Sequence, residues 1–262
     1  MARKNGAQVS KLDLSFLIRC IFPLFRKAID KGYMSLEISG AENLLENTPV
    51  IFVANHSGWV AIDGFLIPYA LHELAGAKSI PYVVIHDLLY YCPGIGPLLK
   101  KVGAIPASWV RNIEMLPKEI TRIGIFPEGE AGNCKPLWQA YKMRKWKRGF
   151  VKLAILKKAK VIPIAVHGLE ECVPSVATVS FFKPLLGAVL PLPLLPVPLP
   201  CRCKITFCKP IDLSHYAKNV LDKPEVLDRI ACDIQNVLQK VIDQESDRYF
   251  LGRLSGYFNK AK

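Results

Sequence analysis

Acidic residues are scarce in this chain relative to basic ones. It carries 22 Asp and Glu against 35 Lys and Arg, a net charge of +13 and a pI near 9.4. That imbalance implies an anionic partner, either nucleic acid or an anionic membrane surface. No helix-turn-helix pattern, RNA-recognition signature or zinc-finger spacing is present, which disfavours nucleic acid and leaves the membrane surface. A long uninterrupted apolar run is also missing. The apolar residues at 12–28 are broken by Arg19, Pro23, Arg26 and Lys27, short of the ~20 that a membrane span needs. The run starts late, so no signal peptide is expected. There is no Gly-x-Ser-x-Gly elbow, which leaves a hydrolase only Ser57, Cys92 or Cys134 as nucleophile. The eight cysteines are scattered. Cys201, Cys203 and Cys208 fall in an expected strand rather than a metal-ligand pattern, so no metal site is expected. We read the cysteines as reduced, small apolar residues of a chain facing the cytosol.

What is present fits one large α/β domain, alone or with a helical appendage. The chain has 262 residues, 51% of them apolar. Short β-branched runs at 49–54, 80–85, 103–106, 123–126, 161–166 and 202–207 read as strands. Helices are expected at 65–71, 98–101, 111–121 and 150–156, and an amphipathic one at 224–242. Strands alternating with helices predict a mostly parallel central sheet flanked by helices. The segment 12–28 reads either as a helix lying in the membrane interface or as a core helix covering the sheet. The expected organisation is a basic, amphipathic N-terminal segment (1–40), a catalytic domain (41–215) and a C-terminal helical segment packed on it (216–262).

Two stretches carry chemistry. Asn55-His56-Ser57-Gly58 follows the run at 49–54, and Asp63 comes seven residues after His56. On one continuous helix that separation is roughly 10.5 Å, too far for contact, but Gly58 and Gly64 disfavour such a helix. A loop folding back would bring the two together. The carboxylate would then fix the imidazole tautomer and leave the other ring nitrogen to take a proton. Asp63 as a helix cap and His56 as an ordinary loop residue remain open alternatives. The second stretch, Ile123 through Phe126-Pro127-Glu128-Gly129 to Glu130, is again a strand entering a glycine turn.

Taken in order, Asn-His with a downstream Asp, Phe-Pro-Glu-Gly, and Val161-Ile-Pro-Ile-Ala-Val166 resemble the glycerolipid and lysophospholipid acyltransferase superfamily. The resemblance covers roughly 45–210. It implies an α/β enzyme that moves a fatty acyl group from acyl-CoA or acyl carrier protein to a hydroxyl. No further cofactor is expected. His56 would be the base and Asp63 its partner. Glu128 and Gly129 would belong to the acceptor site, or Glu128 would brace the loop. Asn55 and Gly58 join the candidate substrate-binding residues, and backbone amides near Gly58 or Gly129 are candidate oxyanion donors. The rivals are a lipid hydrolase and a non-enzymatic lipid-binding module.

The motifs depart from the superfamily's usual pattern in two ways. Six residues separate His56 from Asp63 instead of four, as in a branch resembling diacylglycerol acyltransferases and their bacterial relatives. Ser108 and Ala131 stand where arginines usually read an acceptor phosphate, which predicts an acceptor other than lysophosphatidic acid. Arg111, Lys135, Arg144 and Arg148 are the cations that would supply compensating charge. Lys135, Arg144 and Arg148 are therefore added to the candidate binding residues. The stretch 141–160 contains nine Lys and Arg and no acid. That pattern favours binding to headgroups or to the phosphates of CoA over a solvated face. With the Leu- and Pro-rich segment 184–200, read as an apolar surface loop, an acyl-chain lining or a buried crossover, it predicts peripheral or monotopic attachment to the cytoplasmic face of a membrane.

Overall fold

The computed structural model describes residues 11–46, 48–58, 62–181 and 189–260. Of residues 1–11, expected to be a loose basic terminus, 1–10 lie outside them, as do 59–61 and the 184–188 portion of the Pro-rich segment.

The core is a seven-stranded sheet in the order β1-β9-β6-β2-β5-β3-β4. The strands are β1 (Met34–Ser39), β2 (Val50–Ala54), β3 (Tyr82–Ile85), β4 (Ala104–Pro106), β5 (Arg122–Ile125), β6 (Lys160–His167) and β9 (Cys201–Phe207). From β6 through β4 all pairings are parallel. β9 runs antiparallel to β6 and parallel to β1. The mostly parallel α/β sheet expected from the sequence is the one observed. β2 is buried along its whole length, as an apolar run must be when helices cover both faces of a parallel sheet. A separate hairpin pairs β7 (Ser175–Val179) with β8 (Leu190–Pro193).

Helices cover both faces. α3 (Asp63–Ala75) follows β2, and α4 (Asp87–Tyr91) and α5 (Ile95–Lys101) lie between β3 and β4. α6 (Ala107–Arg111) and α7 (Glu130–Asn133) follow β4 and β5, and α8 (Gly149–Lys157) leads into β6. After α9 (Leu169–Cys172), the chain ends in α10 (Pro224–Ser246) and α11 (Phe250–Lys260). On one side Leu227, Ile230, Ile234 and Leu238 of α10 pack with α8 onto Val161 and Ala165. On the other, α3 packs with Leu17 and Phe22 onto Val50, Phe52 and Ile164.

The N-terminal helix runs from α1 (Leu14–Phe16) through a π-helical Leu17–Ile21 into α2 (Phe22–Asp30). Phe22 packs on Tyr69 and His72 of α3, at ring-centroid distances of 5.5 and 5.3 Å, while Leu24 is exposed. This helix thus covers the sheet, and its outward side carries Leu24 among the exposed Arg19, Arg26 and Lys27. No helix of the described residues is long and apolar enough to cross a membrane.

Two expectations change. The helix expected at 111–121 instead ends at Arg111, where Asn112 leaves helical geometry (φ −116°, ψ 86°). A short 3-10 turn, Ile113–Met115, follows before Pro117. The segment 184–200 is no buried crossover where it is described: Leu190, Leu192, Leu194 and Val197 are exposed, and part of it forms β8.

Candidate active site

The site lies at the carboxyl ends of the parallel strands, the usual place for chemistry in an open α/β sheet. Asn55 follows β2 and continues its pairing with β6 through a side chain. Its Oδ1 accepts from Val166 N at 2.8 Å and its Nδ2 donates to Val166 O at 2.9 Å. Nδ2 also donates to Ser57 Oγ at 3.1 Å. Asn55 is buried, so it anchors the start of the loop.

The loop then folds back. His56 Nδ1 lies 2.7 Å from Asp63 Oδ2. The same Oδ2 accepts from Ser57 N at 2.8 Å, and Oδ1 accepts from Gly64 N at 2.9 Å. With backbone N–H groups donating to both oxygens, the carboxylate presents acceptors only. The Nδ1 position must therefore carry the proton, and Nε2 presents its lone pair. Asp63 is fully buried and is the first residue of α3, with its carboxylate turned back to the loop. Through Gly64 N it also takes an amide of the first turn of α3, so one carboxylate serves both the helix start and the loop. The imidazole stacks on Phe126, with centroids 4.3 Å apart, and its side chain stays 12% exposed. One face of the ring is thus covered, and part of the side chain stays accessible. Gly58 permits the sharp turn after His56: its φ is +76°, and a Cβ there would come within 2.0 Å of Val173 Cγ2.

Glu128 braces this loop from β5. Its Oε1 accepts from His56 N at 3.0 Å and its Oε2 from Arg144 N at 2.6 Å. The carboxylate is buried, with Lys135 Nζ 3.8 Å away. Lys135 Nζ is 2.8 Å from Glu170 Oε1, and Glu170 Oε2 accepts from Tyr141 N. Burial pushes the Glu170 carboxyl up despite Lys135. Burial also pulls the Lys135 ammonium down, but Glu128 and Glu170 together outweigh it and hold it above its ordinary value. Gly129, at φ +61°, turns the chain after Glu128, and its N–H is taken by Phe126 O.

Residues at the same edge whose side chains hydrolysis would need are otherwise engaged. Ser57 is buried. Burial pushes the Cys134 thiol up to about 11. Cys92 Sγ makes only a 3.5 Å contact with Pro93 O.

A family model described as Acyltransferase matches residues 35–167, half of the chain and the half that holds this loop. The chain belongs to the acyltransferase family. The resemblance read from the motifs is therefore borne out at the level of the family. An uncharacterized protein of Mycobacterium tuberculosis is 30% identical over 253 residues, covering 91% of this chain and 70% of that protein. One of Mycobacterium leprae is 30% identical over 241 residues, covering 86% of this chain and 65% of that protein. The chain thus spans about two thirds of the length of these curated relatives. The crystal structure of the 1-acyl-sn-glycerophosphate acyltransferase PlsC from Thermotoga maritima has a similar fold. Its TM-score is 0.59 at 16% identity, covering 88% of this chain and 81% of that one.

In this chain, the cations expected to surround the site are distributed otherwise than the sequence pattern implied. Lys135 is inside the buried ion pair described above. Arg148 pairs with Asp228 of α10 at 2.9 Å, and Lys142 with Asp243 of α10 at 2.8 Å. Arg111 pairs with Asp87, whose other oxygen accepts from Ser108 N at 2.9 Å. The acid-free stretch 141–160 is therefore partly neutralised by acids from the C-terminal helix. Arg144 donates its guanidinium to Gln139. Sequence reasoning had Lys147 only as one of the nine bases of the run; its Nζ lies 3.1 Å from where a Cβ on Gly129 would be. It missed Gln235 and Gln239, which hold the chain around Lys147. Only their i, i+4 spacing on a helix was visible in advance.

Proposed function

We propose that this enzyme transfers a fatty acyl group from a thioester, acyl-CoA or acyl carrier protein, to the hydroxyl of a glycerolipid or lysophospholipid. The reading rests on the His56–Asp63 pair, with Nδ1 donating to a carboxylate fixed by two backbone amides and Nε2 left to act. In the reaction the acceptor O–H gives its proton to His56 Nε2 as the oxygen attacks the thioester carbonyl carbon. Collapse of the tetrahedral adduct breaks the C–S bond, and His56 returns the proton to the departing thiolate. Asp63 stabilises the imidazolium formed in between. Both substrates bind together, so no covalent enzyme intermediate is required.

The acceptor we infer is neutral or zwitterionic, such as diacylglycerol or a lysophospholipid with a larger headgroup. Neither Arg111 nor Arg148 is free to replace the arginines absent at 108 and 131, since each holds a carboxylate. The exposed Leu24 of α2 and the exposed apolar side chains of the segment after β8, together with the basic excess, support peripheral attachment to an anionic leaflet.

The test is transfer of labelled acyl groups from acyl-CoA to a panel of lipids on vesicles. The wild-type protein should form product, and His56→Ala should lose ~10²–10⁴ of the rate with its fold unchanged. A His56→Ala protein of near-normal turnover would sink the mechanism. A strong preference for lysophosphatidic acid would overturn the acceptor assignment.

A further inference from the structure

Between the catalytic loop and α10 runs an irregular strap, residues 141–147. Its backbone is held from both sides. Towards the catalytic loop, Arg144 N donates to Glu128, and Lys147 N donates to Pro127 O at 3.0 Å. Towards α10, two glutamine amides hold it as a neighbouring strand would. Gln239 donates to Tyr141 O at 2.8 Å and accepts from Met143 N at 2.9 Å. Gln235 donates to Arg144 O at 3.0 Å and accepts from Trp146 N at 3.0 Å.

The order of side chains along α10 then sorts the charges. Asp228 and Asp243 take the outer cations, Arg148 and Lys142. Opposite the middle of the strap, α10 presents only the two neutral amides. Arg144 rests on the neutral Gln139, and among the described residues no carboxylate lies within ion-pair distance of Arg144, Lys145 or Lys147. Three cations within four residues thus keep their charge, on a backbone fixed at six points. Gly129 has no side chain to displace Lys147, so the ammonium reaches the turn whose Phe126 stacks on His56.

We propose that this strap is a phosphate-binding surface of the active site, with Lys147 as its principal contact and Arg144 and Lys145 beside it. A phosphate ester placed there would relieve the repulsion among the three cations and form charge-assisted hydrogen bonds with them. The proposal rests on the acyl-transfer reading for its choice of ligand, and two substrates carry the required group. One is the acyl donor, through the phosphates of CoA or of a carrier's phosphopantetheine. The other is the phosphodiester of a zwitterionic lysophospholipid acceptor.

The test uses the full chain and the variants Lys147→Gln, Lys147→Arg and Arg144→Gln, with thermal unfolding to confirm folding. Calorimetric titration with CoA and with pantetheine, which has no phosphate, measures the donor arm. KM for lysophosphatidylcholine and for diacylglycerol, at saturating acyl-CoA, measures the acceptor arm. If the strap holds the donor, Lys147→Gln weakens CoA binding about tenfold, the scale of one charge-assisted hydrogen bond. Lys147→Arg then restores most of it, and pantetheine is unaffected. If the strap holds the acceptor, CoA binding is unchanged and only the KM for lysophosphatidylcholine rises about tenfold. CoA affinity and both KM values within twofold of wild type in Lys147→Gln and Arg144→Gln would show a merely solvated face and overturn the proposal. Lys147-dependent CoA binding without any acyl transfer would retain the phosphate site and reject the transfer reading instead.

Discussion

Replacing Asp63 by Asn changes one oxygen to an amide and leaves the shape almost unaltered. Three donors now point at this carboxylate: Ser57 N and His56 Nδ1 at Oδ2, and Gly64 N at Oδ1. An asparagine offers one acceptor. If its NH2 takes the Oδ2 position, it opposes Ser57 N–H. His56 can then bond to it only by turning Nδ1 into an acceptor, which puts the ring proton on Nε2, where the proposed reaction needs a base. If the amide flips, Gly64 N–H loses its partner and the imidazolium formed in the reaction loses its counter-charge. Each buried donor left unpaired costs about 1–3 kcal/mol, and about 2–4 °C of Tm accompanies each kcal/mol in a chain near this size. The chemical loss should be larger, about 10²–10⁴ in kcat, because the proposed general base is disabled or unsupported. Single-turnover acyl transfer and a thermal melt on the same preparation separate the two effects. The expected result is a modest drop in Tm with a collapse of kcat. A folded Asp63→Asn enzyme turning over within a few-fold of wild type would refute the pairing as a catalytic device.

Two further changes test the surroundings of the dyad. A Cβ at Gly132 would lie 2.6 Å from Glu128 Cβ and 3.0 Å from its Oε2. Gly132→Ala should therefore push the brace off His56 N and lower kcat by up to about 10²-fold, the penalty of a ~1 Å misplacement. Gly256→Ala, with nothing within 4 Å, serves as control, and equal activity of the two variants would argue against the brace. His167 is buried between Tyr141 and Tyr249, with Nε2 on Ile242 O at 3.1 Å and no partner for Nδ1 among the described residues. Burial holds its pKa below the ordinary histidine value; Lys204 acts in the same direction, and the Ile242 carbonyl and Glu245 oppose it. The unfolded chain thus takes up this proton first as pH falls, so stability is complete above about pH 6.5 and declines below it. The decline approaches ~1.4 kcal/mol per pH unit until the folded-state pKa is reached. Urea midpoints from pH 8 to 5 should show a shallower decline in His167→Gln than in wild type, and parallel curves would remove His167 as the cause.

The parallel strands were legible because β2, β5 and β6 are buried on both faces and read as β-branched runs. β1 was missed although Met34, Leu36 and Ile38 alternate with Ser35, Glu37 and Ser39; an edge strand has only one side to bury, and a three-residue alternation is a weak signal. The His56–Asp63 contact was legible as a possibility from residue type and two glycines, since a loop of six intervening residues can close where a helix cannot. The brace was legible only as one of two alternatives for Glu128, without its partners. Glu128 holds His56 and Arg144 by their backbone N–H groups, and a backbone donor has no sequence identity to search for. The same limit misread the charge pattern. A run with no acids of its own looks like an anion site from end to end, yet Lys142 meets an aspartate 101 residues away and Arg148 one 80 residues away. Local composition counts neighbours along the chain, whereas charge is neutralised by neighbours in space. What the fold adds is a selection: α10 neutralises the ends of the strap with aspartates and faces its middle with glutamines. That leaves Arg144, Lys145 and Lys147 as the part of the basic run whose charge a substrate still has reason to meet.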